Sequence, residues 1–226
     1  MKKKCFGAAL LVIGLLLAAA PSARADTFTF TSCHISGSTC EGGSIAAPGF
    51  GSVTLTQDGT SVDFTVSLIN GDRFVETGAG GGELFLFNDT IAGSTITTIA
   101  TSPTTPAGGL SGFTNLAPVH ADGTGDFTAS VECTVASDCN GGSAPTMNSL
   151  TFVVTNATVA QLETANTNGN MFVSDILCGA AQTQCGGLTG PVDASPSSAV
   201  AEPNSLILLG AGFIGLGMCA RRKFKP

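Results

Sequence analysis

The chain contains no tryptophan and no tyrosine. Sugar-binding faces commonly stack their ligands on large amphipathic rings. The absence weighs against a carbohydrate platform, although eleven phenylalanines lie in residues 26–200. Positive charge is almost as scarce. Arg73 is the one base in residues 26–200, against fifteen acids, a formal charge of −14. A body of that sign repels nucleic acid and anionic lipid, which excludes both as its partners. Charged residues make up only 11% of the chain and hydrophobic ones 43%, which excludes a charge-rich disordered chain.

Catalytic signatures are missing too. There is no G-x-S-x-G elbow, no H-E-x-x-H helix, no phosphate-binding loop and no dinucleotide fingerprint. The run Gly78–Gly82, GAGGG, lacks the Lys-Ser/Thr ending of a phosphate loop and reads as a flexible strand connection. Only two histidines occur. His34 adjoins Cys33, and His120 lies between Val119 and Ala121. A nucleophilic triad is recognised by geometry, so His120 with Ser111 and Asp122 stands as a candidate beside the plainer reading of surface histidines.

Carboxylates are plentiful: Asp63, Asp72, Glu76, Glu83, Asp89, Asp122, Asp126, Glu132, Asp138 and Asp175. A glycosidase needs two of them about 5 to 9.5 Å apart, a separation that sequence does not measure. Solvated turns and strand faces are the simpler reading. Asp122-Gly123-Thr124-Gly125-Asp126 and Asp138-Cys139-Asn140-Gly141 offer oxygen ligands for weak Ca2+ binding, but neither fits the twelve-residue EF-hand pattern. No cofactor and no catalytic residue is assigned.

The ends of the chain are better marked. Lys2, Lys3 and Lys4 precede an apolar run from Phe6 to Ala20, which Pro21 and Ser22 break. Ala23-Arg24-Ala25 then places small residues at both recognition positions of a signal-peptidase site. The pattern predicts a secretory signal over residues 1–25, export by Sec-type machinery, and a mature chain beginning at Asp26. An uncleaved membrane helix is the alternative, but its apolar core is short against the roughly 20 residues a span needs.

At the other end, Ala201, Glu202, Pro203 and Asn204 form a polar break. Ser205–Ala220 follows, uncharged and mostly apolar, and Arg221, Arg222, Lys223 and Lys225 close the chain. Sixteen helical residues span about 24 Å, short for a permanent anchor in a hydrocarbon core about 30 Å thick. The basic cluster would stay cytoplasmic, leaving the body outside that membrane. The order Glu-Pro, Gly-rich apolar helix and basic end resembles the PEP-CTERM sorting domain of exported Gram-negative bacterial proteins. Glu202 and Pro203 match its Glu-Pro, with Ala201 where the family has its first proline. The resemblance implies a membrane-held precursor, processing by an exosortase, and an association with exopolysaccharide and biofilm surfaces. It covers only this tail. An ordinary C-terminal membrane anchor is the competing reading.

Between these addresses the dominant pattern has period two. Val53 and Leu55 alternate with Ser52, Thr54 and Thr56. After Asp58-Gly59 the alternation resumes with Val62, Phe64, Val66 and Leu68, a hairpin signal. Further strands are expected at Thr27–Thr31, Glu83–Asn88, Ser94–Thr101, Gly125–Val135, Ser149–Asn156 and Met171–Cys178, all rich in residues that suit a pleated, half-buried surface. Thr158–Ala165 reads as two helical turns capped by Thr158. The fold class is therefore all-β, a β-sandwich of jelly-roll-like form, with a barrel as alternative. It occupies residues 26–186. Residues 102–124 read as a long loop, and residues 187–200 as a linker to the tail, residues 201–226.

Six cysteines of the body fall in three close pairs: Cys33 and Cys40, Cys133 and Cys139, Cys178 and Cys185. An even set in an exported chain reads as disulfides. Six cysteines allow fifteen pairings, and local pairing is the expectation. Zinc and redox roles are disfavoured, because no C-x-x-C pair occurs. The whole reads as a non-enzymatic protein of the cell surface or matrix, structural or adhesive. A glycan-binding module and a secreted hydrolase using paired carboxylates are the alternatives.

Overall fold

The computed structural model describes residues 25–76, 83–140 and 147–194. The glycine run, the segment before Ala25 read as a signal and the segment read as a sorting tail lie outside these residues. The described chain is predominantly β-sheet, as its alternating pattern predicts. Its strands are β1 (Ala25–Phe30), β2 (Ser32–Cys33), β3 (Gly43–Ser44), β4 (Gly51–Asp58), β5 (Ser61–Leu68), β6 (Arg73–Phe74), β7 (Glu83–Phe87), β8 (Thr95–Ser102), β9 (Leu110–Phe113), β10 (Val119–Ala121), β11 (Gly125–Phe127), β12 (Ala129–Cys133), β13 (Ser149–Thr155), β14 (Phe172–Leu177) and β15 (Thr189–Ala194).

They form two antiparallel sheets and a ribbon. The smaller sheet runs β1-β4-β5-β13-β8. The larger runs β3-β2-β15-β14-β7-β12-β9, with β6 beside β14. β10 and β11 pair as a separate hairpin. The sheets meet through phenyl rings: Phe64 of β5 lies 5.1 Å from Phe87 and 6.2 Å from Phe85 and Phe172 of the larger sheet. Ten of the eleven phenylalanines of this region are fully buried. At roughly 25 cal/mol per Å2 of apolar surface removed from water, these rings dominate the cohesion.

The β4–β5 hairpin turns at Asp58-Gly59, where Gly59 takes the left-handed φ of 56° that a tight hairpin turn requires. On its outer face the smaller sheet carries hydroxyls in register. Thr27, Thr54, Thr65 and Thr151 stand side by side across β1, β4, β5 and β13. Thr29, Ser52, Ser67, Ser149 and Ser102 form a parallel rank that reaches β8. β8 contains a bulge: its register against β13 slips opposite Phe152, and Thr98 has a φ of 54°. Ile96 and Ile99 are three apart and would face opposite sides of a regular strand. The extra residue turns both toward the core, against which both pack half-buried.

Four expectations need correction. The loop expected over residues 102–124 contains β9, paired with β12, and β10, paired with β11. Each strand is only three or four residues long, and the surrounding prolines and glycines hide it. The single strand expected at Gly125–Val135 is two. β11 belongs to the hairpin and β12 to the larger sheet, and Thr128 Oγ1, which accepts the Asp89 N–H and donates to the Asp89 carbonyl, turns the chain between them. The segment read as linker begins too early. Residues 189–194 are β15, an interior strand between β14 and β2 that is buried except at its first residue. Pro191 has no N–H for a ladder, but its carbonyl accepts the His34 N–H at 3.0 Å. The helix expected at Thr158–Ala165 is shorter. α1 (Val159–Leu162) buries Val159 and Leu162, and Gln161 reaches back to the Thr158 N–H at 2.9 Å.

Local disulfides close all three cysteine pairs: Cys33–Cys40, Cys133–Cys139 and Cys178–Cys185. Among the described residues no helix is long and apolar enough to cross a membrane.

Candidate functional site

Acidic residues gather on and beside the larger sheet. Glu83 opens β7 and Glu132 sits on β12, and the two are direct cross-strand partners beside a bulge at Val131 and Glu132. Directly opposed Cα atoms in an antiparallel pair lie about 4.5–5.5 Å apart, so like charges there repel. Glu76 joins them. Its backbone N–H donates to the Cys139 carbonyl at 2.8 Å, and it makes an isolated bridge to Asn140. The Cys133–Cys139 staple thus delivers Glu76 to the end of β12. Burial first, and the Glu83 charge second, push the carboxyl of Glu76 above its ordinary value of 4.5. Glu132 is raised by burial, then by Glu83, then by Glu76. Glu76 Oε2 is buried without a hydrogen-bond partner.

This trio is the feature nearest to a reactive centre. Carboxyls whose surroundings raise one above its ordinary value are the arrangement from which acid and base roles are built. Even so, no group of three or more His, Cys, Asp or Glu side chains among the described residues is placed to hold a metal ion. The repulsion predicts a stability effect. Glu132 binds its proton more tightly folded than unfolded. Stability therefore falls as pH rises from 4.5 through the raised folded value, and above that value the penalty is complete. Glu132→Gln is expected to stabilise the protein at neutral pH by about 0.5 kcal/mol, a small gain because partial exposure screens the repulsion. Well below pH 4.5 the advantage disappears. Thermal melts at both pH values measure it, and an equal shift at both would show that charge is not the cause.

His34 and Asp193 form a second constellation. His34 Nε2 lies 2.7 Å from Asp193 Oδ2 and 3.1 Å from Ser32 Oγ. β2 and β15 bring these residues together from positions 159 apart in sequence. A Ser-His-Asp relay needs serine and carboxylate on opposite ring nitrogens. Here both approach Nε2. The nitrogen that donates to Asp193 has no lone pair left for the serine proton. The arrangement is a partly buried structural contact, with the imidazole 21% and the carboxylate 1% exposed. It lies under the β10–β11 hairpin, where a Cβ on Gly123 would come within 2.6 Å of His34 Nδ1. The turn at Gly123 is itself held by Asn166 and Asn170, which donate to the Thr124 carbonyl at 2.9 and 2.8 Å.

The triad candidate of the sequence is not assembled. His120 pairs instead with Asp126 across the hairpin at 2.8 Å, and the two are 66% and 61% exposed. A contact that exposed contributes little. Ser111 shares a hydrogen bond with Thr134 at 2.9 Å. Asp122 lies exposed in the turn before Gly123. Of the calcium candidates, Asp138 is engaged with the Gly108 N–H at 2.7 Å, and Gly141 is outside the described residues. Asp63 is half-buried on the outer face of β5.

Asp72 is 1% exposed and ties the Cys178–Cys185 loop to the chain before β6. Its Oδ1 accepts the Gly179 N–H at 2.7 Å and a Gln182 amide N–H. Burial raises its carboxyl above 3.8, while these two hydrogen bonds pull it back. Open grooves of about 460 and 410 Å3 lie against this loop, lined by Gln182 and Asn70 in one case and by Asp72 and Arg73 in the other. Asp89 caps a turn, accepting the Ile91 N–H at 2.8 Å. Asp175 is buried on β14 beside Glu83, at a small cavity under the hairpin.

Sequence reasoning named the individual carboxylates but missed the Glu76–Glu83–Glu132 grouping and the His34–Asp193 contact. Strand pairing creates both, and no local signal marks either. Of the residues expected to form the cleavage and sorting signals, Ala25 and Asp26 lie in β1, paired with Thr56 and Leu55, and Asp26 is 3% exposed. Ala23, Ala201, Glu202, Pro203 and the basic end lie outside the described residues. No protein-family model matches the chain, nor does any curated protein or solved structure.

Proposed function

We propose that the protein is exported by Sec-type machinery, held in the membrane by its tail, and processed by an exosortase. It is then displayed at the cell surface or in an exopolysaccharide, biofilm-type matrix. Its body is a β-sandwich, jelly-roll-like in form, with a non-catalytic structural or adhesive role. The observation that carries the reading is the set of three bridged cysteine pairs. Disulfides persist in oxidising compartments and are rare where thiols are kept reduced. The tail supplies the sorting half through its Glu202-Pro203, apolar run and basic end.

Burial of all but one of the body's phenylalanines supports the structural role over the glycan-binding one. Only Phe113, 41% exposed, offers a ring to a ligand. The cross-strand Glu83–Glu132 pair favours a hydrolase as the second reading. Turnover of a glycoside by the wild type and not by Glu83→Gln would establish that reading instead.

Intact mass spectrometry of protein isolated from its native cell tests the first reading. The expected chain begins at Asp26 and ends near Glu202-Pro203. It gains six hydrogens on reduction, two for each bridge. A chain that keeps Arg221–Pro226 in the membrane sinks the processing step. A chain with free thiols sinks the oxidising location.

A further inference from the structure

From Thr90 to Val119 the sequence has no ionisable side chain, thirty residues within a body of charge −14. The fold turns this neutral stretch into one border of the molecule. β8 ends the smaller sheet and pairs only with β13 among the described residues, which leaves its other edge open. β13 carries no ionisable residue either. β9 ends the larger sheet alongside, and Gly112 is approached so closely by Ile96 and Ile99 of β8 that a Cβ there would meet Ile96 at 2.4 Å. Phe113 of β9 is exposed at this border.

Natural proteins blunt long open edges with charges, prolines, bulges or very short strands. β8 is eight residues long and holds no charge and no proline. Its one such device is the bulge at Thr98, which serves the inward turn of Ile96 and Ile99 and leaves a short regular arm, Ala100–Ser102, in which Ala100 and Ser102 are exposed and Thr101 is half-buried. The other borders differ. β1 contains Asp26, β3 is two residues long, and the strand behind β9 carries Glu132.

We propose that a second copy of this chain docks on β8, antiparallel, joining the two smaller sheets edge to edge. Charge selects this occupant and this border. Bodies of −14 repel each other through faces and borders that carry carboxylates. Within the joined smaller sheets the first carboxylate met on each side of the junction is Asp63 of β5, two strands in. The two Asp63 residues would stand five strand spacings apart, about 24 Å. The Debye length at physiological ionic strength is about 8 Å, so their repulsion is screened out. The paired main chains supply the hydrogen bonds, and Phe113 and the threonine methyls add apolar contact. The ten-stranded sheet that results keeps its hydroxyl ranks on one continuous face. The arm is short, so the junction forms at the high local concentration of a crowded surface and dissolves on dilution. The proposal does not depend on the sorting tail.

Sedimentation velocity of the oxidised, processed protein over a concentration series tests it. The expected result is a monomer–dimer equilibrium that added salt does not weaken. Ala100→Glu places like charges across the junction at an exposed position and is expected to weaken association at least about tenfold. Thr54→Glu adds the same charge on the outer face of β4, away from the border, and is expected to leave association within about twofold of wild type, since charges more than a Debye length apart are screened. Far-ultraviolet circular dichroism checks that both variants are folded. A protein monomeric at every concentration, or a dimer that Ala100→Glu and Thr54→Glu affect equally, overturns the proposal.

Discussion

Reduction of the three disulfides is expected to lower stability by about 7 kcal/mol and the melting midpoint by about 15–30 °C. Each bridge closes a short loop, with sequence separations of 7, 6 and 7 residues. The chain-entropy estimate for loops of this length is about 2.5 kcal/mol each. A domain of this size has about 5–15 kcal/mol in all, so the bridges account for a large share. They also act as parts of one frame. Cys33–Cys40 closes a loop whose Thr39 N–H donates to the Gln184 carbonyl at 2.9 Å, inside the Cys178–Cys185 loop. That second loop is tied through Gly179 and Gln182 to buried Asp72. Releasing one end therefore loosens contacts at both. Thermal melts with and without reductant give the shift, and replacing Cys178 and Cys185 together by alanine gives the share of one bridge. A shift of only a few degrees on full reduction would show that the phenyl core holds the fold alone, and would remove the stability argument for an oxidising location.

The parts of this fold that were legible in the sequence are those with enough local repetition. β4 and β5 alternate over eight residues each around Asp-Gly, so register, turn and buried face all follow from pattern. The local disulfides were legible because each pair is close in sequence and even in number. β15 was hidden for the opposite reason. Thr-Gly-Pro-Val-Asp-Ala carries two turn residues, and only its place between β14 and β2 makes it a strand. The bulge at Thr98 was legible only as a conflict, two isoleucines at a spacing that a regular strand puts on opposite faces.

The candidate sites follow the same rule. Glu83 and Glu132 face each other because β7 pairs with β12, and His34 meets Asp193 because β2 pairs with β15. Neither pairing has a local cause, since long-range strand order is set by which faces bury together. The segregation of charge was half visible. The neutral run from Thr90 to Val119 is plain in the sequence, but that it builds an open border, two strands away from the nearest carboxylate of its own sheet, is a property of strand order.

Phe64→Ala is expected to cost about 3–5 kcal/mol, the largest loss of any single core truncation here. Phe64 is 1% exposed and central to the ring cluster. It stacks on Phe152 at 4.5 Å within its own sheet and reaches Phe87, Phe85 and Phe172 of the other at 5.1, 6.2 and 6.2 Å. Removing the ring takes away the contact through which the sheets grip each other. The surrounding rings cannot collapse into the space without moving strands, so the cavity term adds to the transfer term. At about 2–4 °C per kcal/mol for a domain of this size, the midpoint should fall by about 6–20 °C. Phe64→Leu keeps most of the volume and should cost about 1.5 kcal/mol or less. Phe113→Ala, at the exposed border, should change stability by no more than about 0.5 kcal/mol. Denaturant melts of the three variants separate a hub from a generic apolar residue. If Phe64→Ala and Phe113→Ala were alike, the two sheets would not be joined through this cluster, and the packing that positions Glu83, Glu132 and the β8 border would have to be sought elsewhere.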